Sequence, residues 1–273
     1  MVKMLGEVRK CEWYIGTSGF SFSDWIGTVY PNNIKNSEMF TYYWQHYGFN
    51  CVELNFTFYQ MPSHKTIISL LRKSPGGFKF AIKLHGSITH DGTLSNIDNF
   101  IKNTRIIEEE EKLIGYLAQF PYTFKFNTEN IDFLRKLAEK LREYDLFIEF
   151  RNSSWVKRDE IFYLKEEFSN LYFVIVDLPK IPGLYPLYID YSKNDKLLYL
   201  RMHGRNPNWF KTDEKLRYDY NYSDEELLDI TNLILHFFAP TRLVFFNNCY
   251  RGQALKNALS FRKHVGGEVI GIF

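Results

Sequence analysis

The sequence predicts a single (β/α)8, TIM-barrel-like domain, and three observations predict it. Eight short apolar strand patterns recur along the chain, each followed by a polar loop and a helical pattern, as consecutive βα units require. The length of 273 residues suits the roughly 250 that such a barrel uses as one domain. In every strand pattern, one side-chain phase turns polar or charged near the C-terminal end, where barrels of this kind place their sites.

The strand patterns run over Trp13–Ser18, Cys51–Thr57, Phe78–His85, Ile114–Gln119, Leu146–Arg151, Leu171–Asp177, Leu197–His203 and Leu243–Asn247. About eight helices are expected between and after them. Ser63 follows Pro62 and opens the helical run HKTIISLLRK. Ser95 with Asp98, and Ser223 with Glu226, have capping-box spacing, in which side chains satisfy the free N–H groups of a first helical turn. In NTENIDFLRKLAEKLREY, the residues Ile131, Leu134, Leu137, Ala138 and Leu141 form one apolar stripe. Gly48, after TYYWQHY, reads as a helix stop. Residues 1–12 are expected to be an N-terminal extension and residues 13–273 the barrel.

Composition removes several classes. Charged residues at 24% and hydrophobic residues at 45% exclude disorder, collagen and coiled coil. No apolar run approaches the ~18 residues of a membrane helix, so no membrane partner is expected. The polar stretch Met1–Lys10 shows no signal peptide. Cys11, Cys51 and Cys249 are odd in number and far apart, which fits neither a disulfide framework nor a zinc cluster. The expectation is a cytoplasmic protein. A net charge of +2 is too balanced to imply nucleic-acid binding by itself. Aromatic residues make up 18%; they are expected mainly in the core, with a stacking surface for bases or sugars as the alternative.

Taking each strand pattern in its two phases, one stays apolar to the end, as in Val52, Leu54 and Phe56 or Phe78, Phe80, Ile82 and Leu84. The other gives Thr17; Glu53, Asn55 and Thr57; Lys83 and His85; Gln119; Glu149 and Arg151; Asp177; Arg201 and His203; and Asn247. In a barrel this second phase points inward at the mouth. So many buried polar groups must pair with one another or with a ligand. A self-paired ion network, for example Glu149 with Arg151 or Arg201, is the plain alternative to a site.

The motifs YIGTSGFSFSDWIGTVYP, VELNFTFYQMPS, FKFAIKLHGSITH, LAQFPYTFKF, IEFRNSSW, VIVDLP, YLRMHGRN, RYDYNYSDEEL and FFNNCYRGQALKNA resemble, in order, the family called domain of unknown function 72, or YecE-like. The resemblance runs from about Trp13 to Arg262. It implies a TIM-barrel-like fold and no established activity, since barrels host many chemistries. The residues it carries over are Glu53, Asn55, Lys83, His90, Gln119, Glu149, Arg151, Asp177, Arg201, His203, Arg205 and Asn247.

Three chemistries compete for these residues. Glu53, His85, His90, Glu149, Asp177 and His203 are ligand types for a divalent ion, but Lys83, Arg151, Arg201 and Arg205 share the mouth and compete for the carboxylates. Neither an HExxH nor a CxxC spacing supports a metal. The same cations can clamp a phosphate or carboxylate. Carboxylates beside them should stay ionised, and neighbouring carboxylates are expected to hold His203 near neutrality as an acid or base. No nucleophile is evident: Cys249 is on the phase opposite Asn247 and is expected to be buried. GTSG reads as a tight loop whose backbone N–H groups bind an oxygen. After strand seven, Arg205, Trp209, Lys211, Arg217, Tyr218, Tyr220 and Tyr222 form either a lid or stacking surface, or a loop with its rings packed inward.

The expected function is general acid–base catalysis on an anionic, phosphorylated substrate: a nucleotide, nucleic acid or sugar phosphate. Glu53, Glu149, Asp177 and His203 are the expected catalytic set. Asn55, Lys83, His90, Gln119, Arg151, Arg201, Arg205, Trp209 and Asn247 are expected to bind the substrate, and no cofactor is assigned. The alternatives are a metal-dependent phosphoesterase or endonuclease-IV-like repair nuclease, and a non-catalytic nucleic-acid or metabolite-binding protein.

Overall fold

A computed structural model describes residues 11–189, 196–237 and 239–265. Every expected strand is present among them: β1 (Glu12–Thr17), β2 (Cys51–Leu54), β3 (Lys79–Lys83), β4 (Leu113–Gln119), β5 (Leu146–Glu149), β6 (Leu171–Phe173), β7 (Ile175–Asp177), β8 (Leu197–Met202) and β9 (Thr241–Phe246). All pairings are parallel, in the orders β1-β9-β8-β7 and β2-β3-β4-β5-β6. The two sheets meet twice. Ser18 bridges to Glu53 just beyond β1, and the sixth strand passes from one sheet to the other at Val174. Its first half, β6, pairs with β5, and its second half, β7, pairs with β8. The chain is a TIM-barrel-like α/β fold.

The helices form for the reasons the sequence supplies, with two exceptions. Ser63 caps His64–Lys73 by accepting from the Thr66 N–H at 3.2 Å. Ser223 and Glu226 form a reciprocal capping box on Asp224–Leu235. The stripe Ile131, Leu134, Leu137, Ala138 and Leu141 is buried, and Gly48 ends its helix in the left-handed region at φ 66°. The Ser95–Asp98 box does not form: Ser95 is already helical, whereas a capping residue needs extended backbone. No helix lies among the described residues between β7 and β8, where one was expected. Glu12, assigned to the N-terminal extension, is already in β1, and residues 1–10 lie outside the described residues. Among the described residues, no helix is long and apolar enough to cross a membrane.

Gln119 and Asp177 end their strands as expected, whereas the other strands are shorter at their C-terminal ends than their patterns suggest. Asn55 turns into the helical segment Phe56–Tyr59, and His85 leaves β3 to cap Gly86–Thr89 by accepting from the Ser87 N–H. Arg151, His203 and Asn247 likewise lie just past their strands. Inside the ring, side chains stack in layers. Phe147, Tyr199 and Phe245 form an aromatic layer, with Tyr199 centred 4.6 Å from Phe147 and 5.3 Å from Phe245. Two residues further along the same strands, the layer becomes ionic, with Glu149, Arg201 and, beyond β9, Asn247.

Candidate active site

The ionic layer is centred on Arg201, which is 1% exposed. Its guanidinium donates to Glu149 Oε2 from one terminal nitrogen and to Glu53 Oε1 (2.6 Å) and Ser18 Oγ (3.4 Å) from the other. Tyr199 donates to the second Glu53 oxygen at 2.6 Å. Arg151 Nε lies 2.7 Å from Glu149 Oε1, and His203 Nε2 lies 3.2 Å from the same oxygen, neither aligned as a hydrogen bond. Burial alone would push Glu149 up, but Arg151, Arg201 and His203 outweigh it and hold Glu149 well below the usual carboxylate range.

His203 is fully buried, and its Nδ1 faces two donors: the Asn247 amide at 2.9 Å and the Arg151 guanidinium at 3.5 Å. Nδ1 therefore accepts, and the ring is neutral with its proton on Nε2 toward Glu149. Burial, and then Arg151, push its pKa down to about 3. The expectation that nearby carboxylates hold His203 near neutrality is thus corrected. The imidazole is sealed, and the cation beside it counts more than the carboxylate.

Above this layer opens a cleft of about 320 Å³ at the C-terminal ends of the strands. Among the described residues, its charged lining is Lys83, Arg151 and Lys215 against a single carboxylate, Asp24. Asn55, Gln119 and Asn247 supply amides; Phe22, Tyr59, Tyr218 and Tyr250 supply rings. Lys83 is 8% exposed and donates to Gln119 Oε1 at 2.7 Å, with its ammonium 3.9 Å from the centre of the Phe58 ring. Burial, then Arg201 and Arg151, push Lys83 down to about 7, against the pull of Glu149 and Glu53. Asn55 donates to Ser18 O at 3.2 Å and to Asn247 Oδ1 at 3.3 Å, while its own Oδ1 is buried without a partner.

The residues singled out by sequence therefore divide into three places. Asn55, Lys83, Gln119, Arg151 and Asn247 line the cleft together. Glu53, Glu149, Arg201 and His203 lie buried against one another without lining it. Asp177 and Arg205 belong to a third cluster. Arg205 grips Asp177 through Nε and Nη2 at 2.9–3.1 Å and reaches Glu226 at 2.9 Å, while Tyr222 donates to Asp177 at 2.5 Å. Every one of these charges is matched, so this cluster ties the loop after β8 to the helix Asp224–Leu235. Trp209 is buried with its ring 6.5 Å from that of His203, covering it rather than facing the cleft. His90 is exposed, with its ring centred 4.8 Å from that of Phe58, and does not line the cleft.

Among the described residues, no three His, Cys, Asp or Glu side chains group to hold a metal, because the mouth carboxylates are held by arginines. The GTSG turn spends its Thr17 N–H on Tyr43 and its Ser18 N–H on Phe246, so neither is free to bind an oxygen in the cleft. Cys249 lines the cleft with its thiol toward Ser18 O, and burial pushes that thiol far up. Sequence reasoning missed Phe22, Asp24, Tyr59, Lys215 and Tyr250. They sit on loops and short turns, where no periodicity points a side chain. Of the aromatic and cationic run after strand seven, Tyr218 alone was named among these lining residues.

The geometry agrees with what the chain resembles. A DUF72 family protein of Thermotoga maritima, solved by crystallography, is 42% identical, with a TM-score of 0.83 over 93% of this chain and 99% of that one. Another from Enterococcus faecalis is 28% identical, with a TM-score of 0.80 over 93% and 95%. The UPF0759 protein YunF of Bacillus subtilis is 28% identical over 95% of this chain and 96% of its own length. The family described as protein of unknown function DUF72 matches residues 14–271, and the chain belongs to that family.

Proposed function

We propose that the protein is an enzyme that binds a phosphorylated small molecule, a sugar phosphate or nucleotide, in this cleft and acts on it by general acid–base chemistry. The charge of the cleft wall carries this reading. Among the described lining residues, Lys83, Arg151 and Lys215 face one carboxylate, Asp24, and of the three only Arg151 has a share in a carboxylate of the layer below, because Arg201 has taken Glu53 and divides Glu149 with Arg151. The surplus is matched by an anion, and a guanidinium recognises phosphate or carboxylate oxygens well. The volume suits a small molecule. The orphan Asn55 Oδ1 is an acceptor for a substrate hydroxyl, and the tyrosines of the rim offer faces for a sugar or base. Among the charged lining groups, Lys83 is the one pushed close to neutrality, so it is the proton carrier. Glu149, held ionised, and His203, held neutral, set the field around it.

Isothermal titration with inorganic phosphate and ribose 5-phosphate tests this. Wild type should bind both. Arg151→Ala should bind at least about tenfold more weakly, the loss expected for one charge-assisted hydrogen bond. Arg105→Ala, at an exposed surface pair, should leave binding unchanged. Equal affinity in wild type and Arg151→Ala would remove the anion site.

A further inference from the structure

Lys83 differs from the three arginines of the mouth in having no carboxylate of its own among the described residues. Arg201 holds Glu53 and Glu149, Arg151 sits on Glu149, and Arg205 holds Asp177. The Lys83 ammonium makes one hydrogen bond, to the neutral carbonyl of Gln119, and otherwise rests over a benzene ring. It stands at the end of β3, held by a backbone whose carbonyl accepts from Thr57 Oγ1, and it faces an open cleft. The charged groups around it are Glu53 from β2, Glu149 from β5, Arg151 just beyond β5 and Arg201 from β8, with the titratable His90 packed on Phe58. A lysine that is desolvated and set among other cations readily loses its proton and becomes a nucleophilic amine.

We propose that Lys83 is a covalent nucleophile, that it forms an imine with a carbonyl compound in the cleft, and that this compound carries an anionic group held by Arg151. The inference deepens the anion-site reading above and rests on it. The unprotonated Nζ attacks the carbonyl carbon, forming a C–N bond as the C=O π pair moves onto oxygen and is protonated to give a carbinolamine. The C–O bond then breaks, and water leaves with the two hydrogens that the amine gave up. No oxidant or reductant takes part. The amine is available at neutral pH because its surroundings push Lys83 down to about 7. There it holds about a thousandfold more free amine than an exposed lysine. Arg151 sits where it can fix a carboxylate or phosphate while the carbonyl reaches Nζ, and the buried Asn55 Oδ1 can accept from the carbinolamine hydroxyl.

Trapping on the wild-type protein tests this without needing a variant to fold. The protein is incubated with pyruvate in one arm and glyceraldehyde 3-phosphate in the other, reduced with sodium borohydride, and mapped by peptide mass spectrometry. One adduct on Lys83 is expected, at least about tenfold above any other lysine at pH 7. It should be suppressed by excess phosphate, and half-maximal near pH 7. The arm that labels identifies a carboxylate or a phosphate as the anionic group. Lys83→Arg, which keeps the charge, should abolish the adduct. Labelling spread over surface lysines, or centred on Lys215 of the same cleft, overturns the proposal. Absence of any adduct while phosphate still binds in an Arg151-dependent way overturns the imine and leaves the anion site standing. Loss of both removes the site itself.

Discussion

His203 shows how much one buried side chain can contribute to acid sensitivity. Its pKa falls to about 3 in the folded protein, against about 6.5 for an unfolded histidine. A base whose folded pKa is depressed contributes stability that is complete above pH ~6.5 and is lost as pH falls from there toward ~3, because the unfolded chain takes up the proton first. Glu149 acts in the same direction: its folded pKa is depressed too, so its share is present above the ordinary carboxylate range and lost on acidification below it. The unfolding free energy should therefore drop between pH 6.5 and 4.5, the window in which His203 acts before the carboxylates protonate. His203→Gln should flatten that slope by as much as about 1.4 kcal/mol per pH unit. Urea unfolding at half-unit steps of pH measures it, and parallel slopes in wild type and variant would sink the assignment. Lys83 acts in the same direction, in a higher pH window. With a folded pKa of about 7, its burial costs most at and below neutrality and is relieved as pH rises toward that of an exposed lysine, so its place in the cleft is held against stability.

At the level of elements, the join between β1 and β2 leaves no room for a side chain. Gly16 lies on β1 where a Cβ would stand 2.6 Å from the Cys51 carbonyl oxygen and 3.1 Å from Tyr43 Oη. Backbone cannot yield there without parting β1 from β2, one step before the Ser18–Glu53 bridge that links the sheets. Gly16→Ala should cost about 1–3 kcal/mol, as overpacked core positions do, and should weaken phosphate binding because Ser18 carries the strain into the cleft. A melting temperature equal to wild type would show that the seam has slack. This seam also marks where the sequence stops being legible. Period-two alternation located every strand and the inward phase, since it depends only on local backbone geometry. It could not show that the run Leu171–Asp177 breaks at Val174, because the change of partner is a tertiary event in an unbroken apolar pattern. Nor could it show that Arg201 takes both Glu53 and Glu149, residues 148 and 52 positions away. The mouth was thus foreseen as one set of polar groups, while its division into a sealed ionic layer and an open cationic cleft depends on pairings between distant strands.

For the whole molecule, the two-layer mouth lets one fold keep a cationic cavity without placing unpaired charge in its core. The sealed layer balances Glu53 and Glu149 against Arg201 and Arg151, and its pairing leaves Lys83 at the floor of the cleft without a carboxylate among the described residues. The cleft draws residues from both sheets: Ser18 and Asn247 follow β1 and β9, whereas Asn55, Lys83, Gln119 and Arg151 lie at or beyond the ends of β2 to β5. A ligand there adds a connection between sheets otherwise joined at the Ser18 bridge and at strand six. Ligand at a hundredfold excess over its dissociation constant should stabilise the native state by about 2.7 kcal/mol through mass action. If it spans the cleft, that gain must be distributed across both sheets. Hydrogen exchange with saturating ribose 5-phosphate should then slow amides at the ends of β1 and β9 together with those at the ends of β2 through β5. Protection confined to one sheet would mean that the phosphate compound binds at the rim, beside Lys215 or Tyr59, and does not reach the Lys83–Arg151 floor.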